Sequence, residues 1–63
     1  MMSKLEYKIL ASEGNRALPE LETLVNHAIS EGWEPQGGVM VSEANISDST
    51  FTTFLQAMTR RLP

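Results

Sequence analysis

Apolar residues fall into four groups along the chain, and each group has its own period. In LEYKIL, Leu5, Tyr7 and Ile9 alternate with Glu6 and Lys8, the period of two that marks a half-buried strand. Leu10 closes it, and ASEGNR, with Gly14 and Asn15, reads as a polar loop. The spacing then changes. Over residues 19–31, PELETLVNHAISE, the residues Leu21, Leu24, Val25, Ala28 and Ile29 form a single helical stripe. Glu20, Thr23, Asn26, His27, Ser30 and Glu31 take the opposite side. Pro19 suits the first helical position, where its missing N–H costs nothing, and Glu20 and Glu22 in the first turn complement the helix dipole.

The string EGWEP ends this helix. Gly32 follows the last periodic position, where a left-handed residue commonly closes a helix without a Cβ penalty. Trp33, the only tryptophan, is expected to fold back onto the last turn and cap the core. Pro35 stops the helix from resuming.

Two further strands are predicted. GGVMVS, residues 37–42, opens with a glycine pair. EANISDST, residues 43–50, is rich in turn formers and reads as a loop. FTTFLQAMTRR, residues 51–61, is rich in β-branched and aromatic residues. Its alternation sends Phe54, Gln56 and Met58 one way and Leu55 and Ala57 the other, so both faces carry apolar groups.

The order strand, helix, strand, strand predicts an α+β fold: one two-layer β-α-β-β domain over residues 1–63. A right-handed crossover makes the first two strands parallel, and the last strand returns between them. The result is a three-stranded sheet of order 1-3-2 with one helix on one face. The helix covers one face only. The other face exposes part of Phe54/Met58 or Leu55/Ala57, together with Met40 or Val39/Val41, and contiguous patches of that kind mark interfaces. Self-association follows, most simply as a symmetric dimer, with Met40, Phe54, Gln56 and Met58 as the expected interface.

Size points the same way. A chain of 63 residues buries only about 60% of the surface its unfolded form exposes. Small domains add a disulfide, a metal or a partner; with no cysteine and a single histidine, His27, a partner copy is the remaining route. The net charge of −3 opposes non-specific nucleic-acid binding, which needs basic clusters. No apolar run approaches the ~20 residues that span a bilayer, and MMSKLEYKIL lacks the apolar block of a secretory leader. A cytoplasmic setting is expected.

The topology gathers Lys4, Arg60 and Arg61 near Glu31, Glu34 and the negative end of the helix. A solvated charge cluster is the plain reading; an anion grip by Arg60 and Arg61 is the sharper one. Catalysis requires positioned groups, such as a nucleophile with its base, paired carboxylates or a metal. His27 is expected on the solvated helix face without a serine–acid set, so an enzyme using it as a base is a minor reading. No cofactor is expected. NIS at residues 45–47 matches a glycosylation acceptor only in form. QGG at residues 36–38 precedes a strand rather than a helix, unlike a dinucleotide loop, and suggests a bulge or a close backbone approach.

YKIL, PELETLVNHAI, EGWEPQGGV and FLQAM together resemble a small bacterial and phage family, the domain of unknown function 1737. The likeness runs from Tyr7 to about Arg61, and EGWEPQGGV is its specific part. It implies a small αβ module with an accessory or host-interaction role, and it brings no catalytic residues. The expected function is therefore a non-enzymatic interaction module that self-associates through its uncovered sheet face. The alternative is a small-ligand binder, for a nucleotide or another anion, at Trp33, Gly37, Gly38 and Arg60.

Overall fold

The computed structural model describes residues 4–63. Met1, Met2 and Ser3, the first residues of the expected domain and of MMSKLEYKIL, lie outside the described residues. Four elements follow one another: β1 (Lys4–Glu13), α1 (Ala17–Ser30), β2 (Glu34–Ile46) and β3 (Ser49–Leu62). The sheet order is β1-β3-β2, and β3 runs antiparallel to both neighbours. The expected α+β architecture, with its 1-3-2 sheet and single helix, is the one observed.

Every strand is longer than the sequence pattern predicts. β1 continues through Ala11, Ser12 and Glu13, and α1 begins at Ala17, two residues before Pro19. The expected loop over residues 43–50 is mostly strand, with only Ser47 and Asp48 left in the turn. Its turn-forming residues are accommodated because the ladder bonds continue: Asn45 stands opposite Thr50, and the Thr50 hydroxyl donates to the Asn45 side-chain oxygen at 2.8 Å. Ser47, at φ 56°, makes the reversal.

β1 ends opposite Thr53, so residues 43–46 and 49–52 pair only with each other. They form a two-stranded ribbon that projects beyond the rest of the sheet. The molecule measures 53 × 19 × 15 Å, with a radius of gyration of 14.2 Å, where a compact domain of this length would have about 11 Å.

The core is small. Ala28, Trp33 and Met58 form its buried cluster, with Leu10 and Val25 packed against it. Ala17 and Leu21 anchor the first half of the helix. At the N-terminal end, the buried Ser12 hydroxyl donates to a Glu20 carboxylate oxygen at 3.1 Å and so ties α1 to β1.

The C-terminal end of α1 follows the expectation for EGW closely. Gly32 takes φ +94°. The Gly32 N–H donates to the Ile29 carbonyl, and the Trp33 N–H reaches back to the Ala28 carbonyl, each at 3.0 Å. These two bonds define a Schellman motif, which brings the residue after the glycine onto the last turn. Trp33 thereby enters the core against Ala28. Its aromatic ring also carries two cations, the Lys8 ammonium at 4.2 Å and the Arg60 guanidinium at 4.5 Å from the centroid.

Candidate functional site

The register of the sheet fixes which side chains share a face, because directly opposed residues point the same way. Met58 opposes Lys8 and Pro35, Gln56 opposes Leu10, and Phe54 opposes Ser12 and Val41. All of these lie on the helix side. Ala57 opposes Ile9 and Gln36, Leu55 opposes Ala11 and Met40, and Phe51 opposes Ala44. These make up the uncovered face, joined by Tyr7 and Leu5.

This arrangement corrects the expected interface. Met58 is fully buried beneath the helix with Ala28 and Trp33, and Gln56 is buried beside it. Phe54 is half-buried on the same side. Of the four expected residues only Met40 lies on the uncovered face. Alternation along β3 separates the two sets, but alternation alone does not reveal which set the helix covers. That choice is set by the helix end, where the Schellman turn delivers Trp33 onto Met58.

The alternation of β1 comes out inverted with respect to exposure. Leu5, Tyr7 and Ile9, the best-patterned apolar row in the chain, are 57, 62 and 51% exposed. Glu6, Lys8 and Leu10 are half-covered and Ser12 is buried. Two specific pairings let polar side chains occupy the covered side. Glu6 receives the Arg60 Nε and Nη2 on one carboxylate oxygen, at 3.0 and 2.8 Å, and Lys8 rests on the Trp33 ring. The uncovered face continues through Met40 to Ile46 and Phe51 on the ribbon, all large and exposed. No signal in the β1 pattern could have revealed the inversion, since Arg60 and Trp33 approach only in the fold.

The glycine pair occupies a bulge. Gln36 opposes Ala57 and Met40 opposes Leu55, so Gly37, Gly38 and Val39 stand opposite Gln56 alone. Gly37 takes φ +72°. Gln56 Nε2 lies 3.1 Å from the Gly37 carbonyl, 3.0 Å from that of Ala57 and 3.3 Å from that of Gln36. Of the two expectations for QGG the bulge is the one observed, since an added Cβ at Gly37 or Gly38 would meet nothing within 4 Å. Gln56 supplies the donor for the bulge carbonyls, a role not expected from the sequence.

The four residues of the expected ligand site do not come together as one cleft. Trp33 and Arg60 touch, but Arg60 is engaged by Glu6 and also donates to the Glu31 carbonyl at 3.2 Å. It therefore meets the helix end as expected, with Glu6 rather than Glu31 or Glu34 as its carboxylate. Gly37 and Gly38 lie farther along β2 at the bulge. A cleft of about 550 Å³ beside them is lined by Leu5, Gly32, Glu34, Gln36, Thr59 and Arg61, and by none of the four.

His27 is exposed on the solvent side of α1, with Nε2 at 3.5 Å from a Glu31 carboxylate oxygen. Among the described residues no group of three His, Cys, Asp or Glu side chains is arranged to hold a metal ion, and no helix is long and apolar enough to cross a membrane. No family model matches the chain, and neither a curated protein nor a solved structure matches it.

Proposed function

We propose that this chain is a non-enzymatic interaction module that self-associates through its uncovered sheet face. The observation that carries this reading is the exposed apolar row Leu5, Tyr7 and Ile9, continued by Met40 and Phe51 on the same face. A monomer that kept this face in water would leave its most regular apolar pattern unused. Surface area supports the same conclusion. The accessible surface is 4835 Å², while a folded monomer of this mass exposes about 4,000 Å². That excess goes with the elongated shape and the projecting ribbon, surface that a second copy can cover. Sheets packed face to face bury such rows between them.

The ribbon belongs to the same surface. Its charged residues, Glu43 and Asp48, are acidic, so it suits a protein surface better than the phosphates of a nucleic acid. As part of the same proposal, the chain acts in a cytoplasmic setting, with the bacterial or phage accessory role that the resemblance to the domain of unknown function 1737 implies.

The test is the double variant Met40→Glu/Phe51→Glu, with the fold monitored by circular dichroism. Wild type is expected to sediment above its 7.0 kDa chain mass, and the variant is expected to lose the face-mediated species. Wild-type chain that sediments as a 7.0 kDa monomer at every concentration overturns the proposal, as does a folded variant with unchanged assembly.

A further inference from the structure

The two edges of the sheet are built differently. β2 carries Pro35 and, in its ladder with β3, the three-residue bulge at Gly37, Gly38 and Val39, devices that break the regular backbone row an added strand would need. β1 has no proline, no glycine and no break in its register with β3 over all ten residues. Among the described residues no strand pairs with its outer side, which presents its backbone donors and acceptors in a regular row. One edge is defended and the other is left open.

We infer that a second copy of this chain pairs with the β1 edge, antiparallel and centred on Tyr7. The joint creates a continuous six-stranded sheet with both helices on one face. A two-fold axis perpendicular to the sheet opposes residues whose numbers sum to twice the central one, which limits the choice to a few registers. Centred on Tyr7, residues 4–10 of each copy pair, and Glu6 opposes the partner's Lys8 on both sides of the axis. Leu5 then opposes the partner's Ile9 twice, and Tyr7 opposes its own counterpart. Opposite charges and apolar groups across a ladder are the favourable pairs.

Neighbouring registers fail on the same residues. Centred on Glu6, two carboxylates face each other and Lys4 opposes Lys8. Centred on Lys8, two ammonium groups meet. Centred on Ile9, no carboxylate meets an ammonium and Leu5 falls opposite Glu13, whereas the Tyr7 register keeps both Glu6–Lys8 pairs and sets only the terminal Lys4 opposite Leu10. Charges that would defend an isolated edge here select one partner register and reject the others. Glu6 is also preset for the pairing, because Arg60 binds only one of its oxygens.

The edge joint is a different surface from the face contact proposed above and stands or falls separately. The chain has no cysteine, so single substitutions report on the joint without background. Opposed residues in an antiparallel ladder lie about 4.5–5.5 Å apart at Cα, within disulfide reach. Sheets packed face to face lie about 10 Å apart, beyond it.

Under a mild thiol oxidant such as diamide, Tyr7→Cys is expected to form a covalent dimer. Leu5→Cys and Ile9→Cys alone should stay monomeric on a non-reducing gel, and their equal mixture should crosslink. The Tyr7→Cys link should persist in the Met40→Glu/Phe51→Glu background, which separates the edge from the face. A Tyr7→Cys chain that fails to crosslink, or a Leu5→Cys chain that crosslinks as fast alone, overturns the inference. Charge exchange gives a second measurement. Lys8→Glu and Glu6→Lys chains should each lose the edge dimer and regain it when mixed; mixing without recovery between folded chains also overturns it.

Discussion

Gln56 and Gly37 are joined across the β2–β3 ladder by a 3.1 Å hydrogen bond from the Gln56 amide to the Gly37 carbonyl, and this bond closes the bulge in β2. The glutamine is buried and its amide has carbonyl partners on both strands. Leucine in its place would fill similar volume but leave those carbonyls without their donor. Gln56→Leu is expected to lower stability by ~1–3 kcal/mol, read from urea denaturation followed by circular dichroism.

The adjacent glycines should respond in opposite directions to the same substitution. Gly37 sits at φ +72°, whereas Gly38 does not have a left-handed φ, and an added Cβ meets open space at both. Gly37→Ala therefore tests backbone strain alone and is expected to cost ~1–2 kcal/mol. Gly38→Ala should stabilise by ~0.4–1 kcal/mol by restricting the unfolded chain. Paired thermal melts of the two variants give the comparison.

How far the sequence carried this fold depends on what each element needed. The helix, its glycine stop and the inward Trp33 follow from local chemistry, and all three were legible. The strand order follows from connectivity. The face assignment does not, because Glu6 and Lys8 become acceptable beneath the helix only through Arg60 and Trp33, which lie 54 and 25 residues away in sequence. A polar residue under a helix is explained by partners that periodicity does not display. The long ribbon was hidden for a related reason: Asn45, Ser47, Asp48 and Ser49 have turn composition, and only cross-strand pairing makes most of that segment extended. Interface residues chosen from β3 alternation inherited the unresolved choice of face, and three of the four fell on the covered side.

Arg60 joins three groups: the Glu6 carboxylate, the Glu31 carbonyl and the Trp33 ring. Lysine keeps the charge but cannot place two N–H groups on Glu6 while lying over the indole. Both charged side chains are about 30% exposed, so solvent screening limits the gain. Arg60→Lys is expected to cost about 1 kcal/mol, with the difference from wild type shrinking in high salt. Denaturation at two ionic strengths measures it.

Ser47 turns the ribbon at φ 56°, a conformation that side chains other than glycine adopt at a cost. Ser47→Gly should remove that strain and stabilise the ribbon by about 1 kcal/mol, less whatever the freer unfolded chain takes back. Amide exchange at Ile46 and Ser49, the rung next to the turn, should slow relative to wild type. Unchanged or faster exchange there contradicts this account of the turn.

The ribbon beyond Thr53 has a consequence for dynamics. Its rungs are secured only by one another, without a third strand or an overlying helix, so it can peel from the tip while the body stays folded. Protection of these amides is therefore a local gauge of whether something lies against the ribbon: exchange is fast when it stands in water and slow once a neighbouring surface clasps it. Labelling at increasing protein concentration would report docking at one end of the molecule while the fold at the other end remains unchanged.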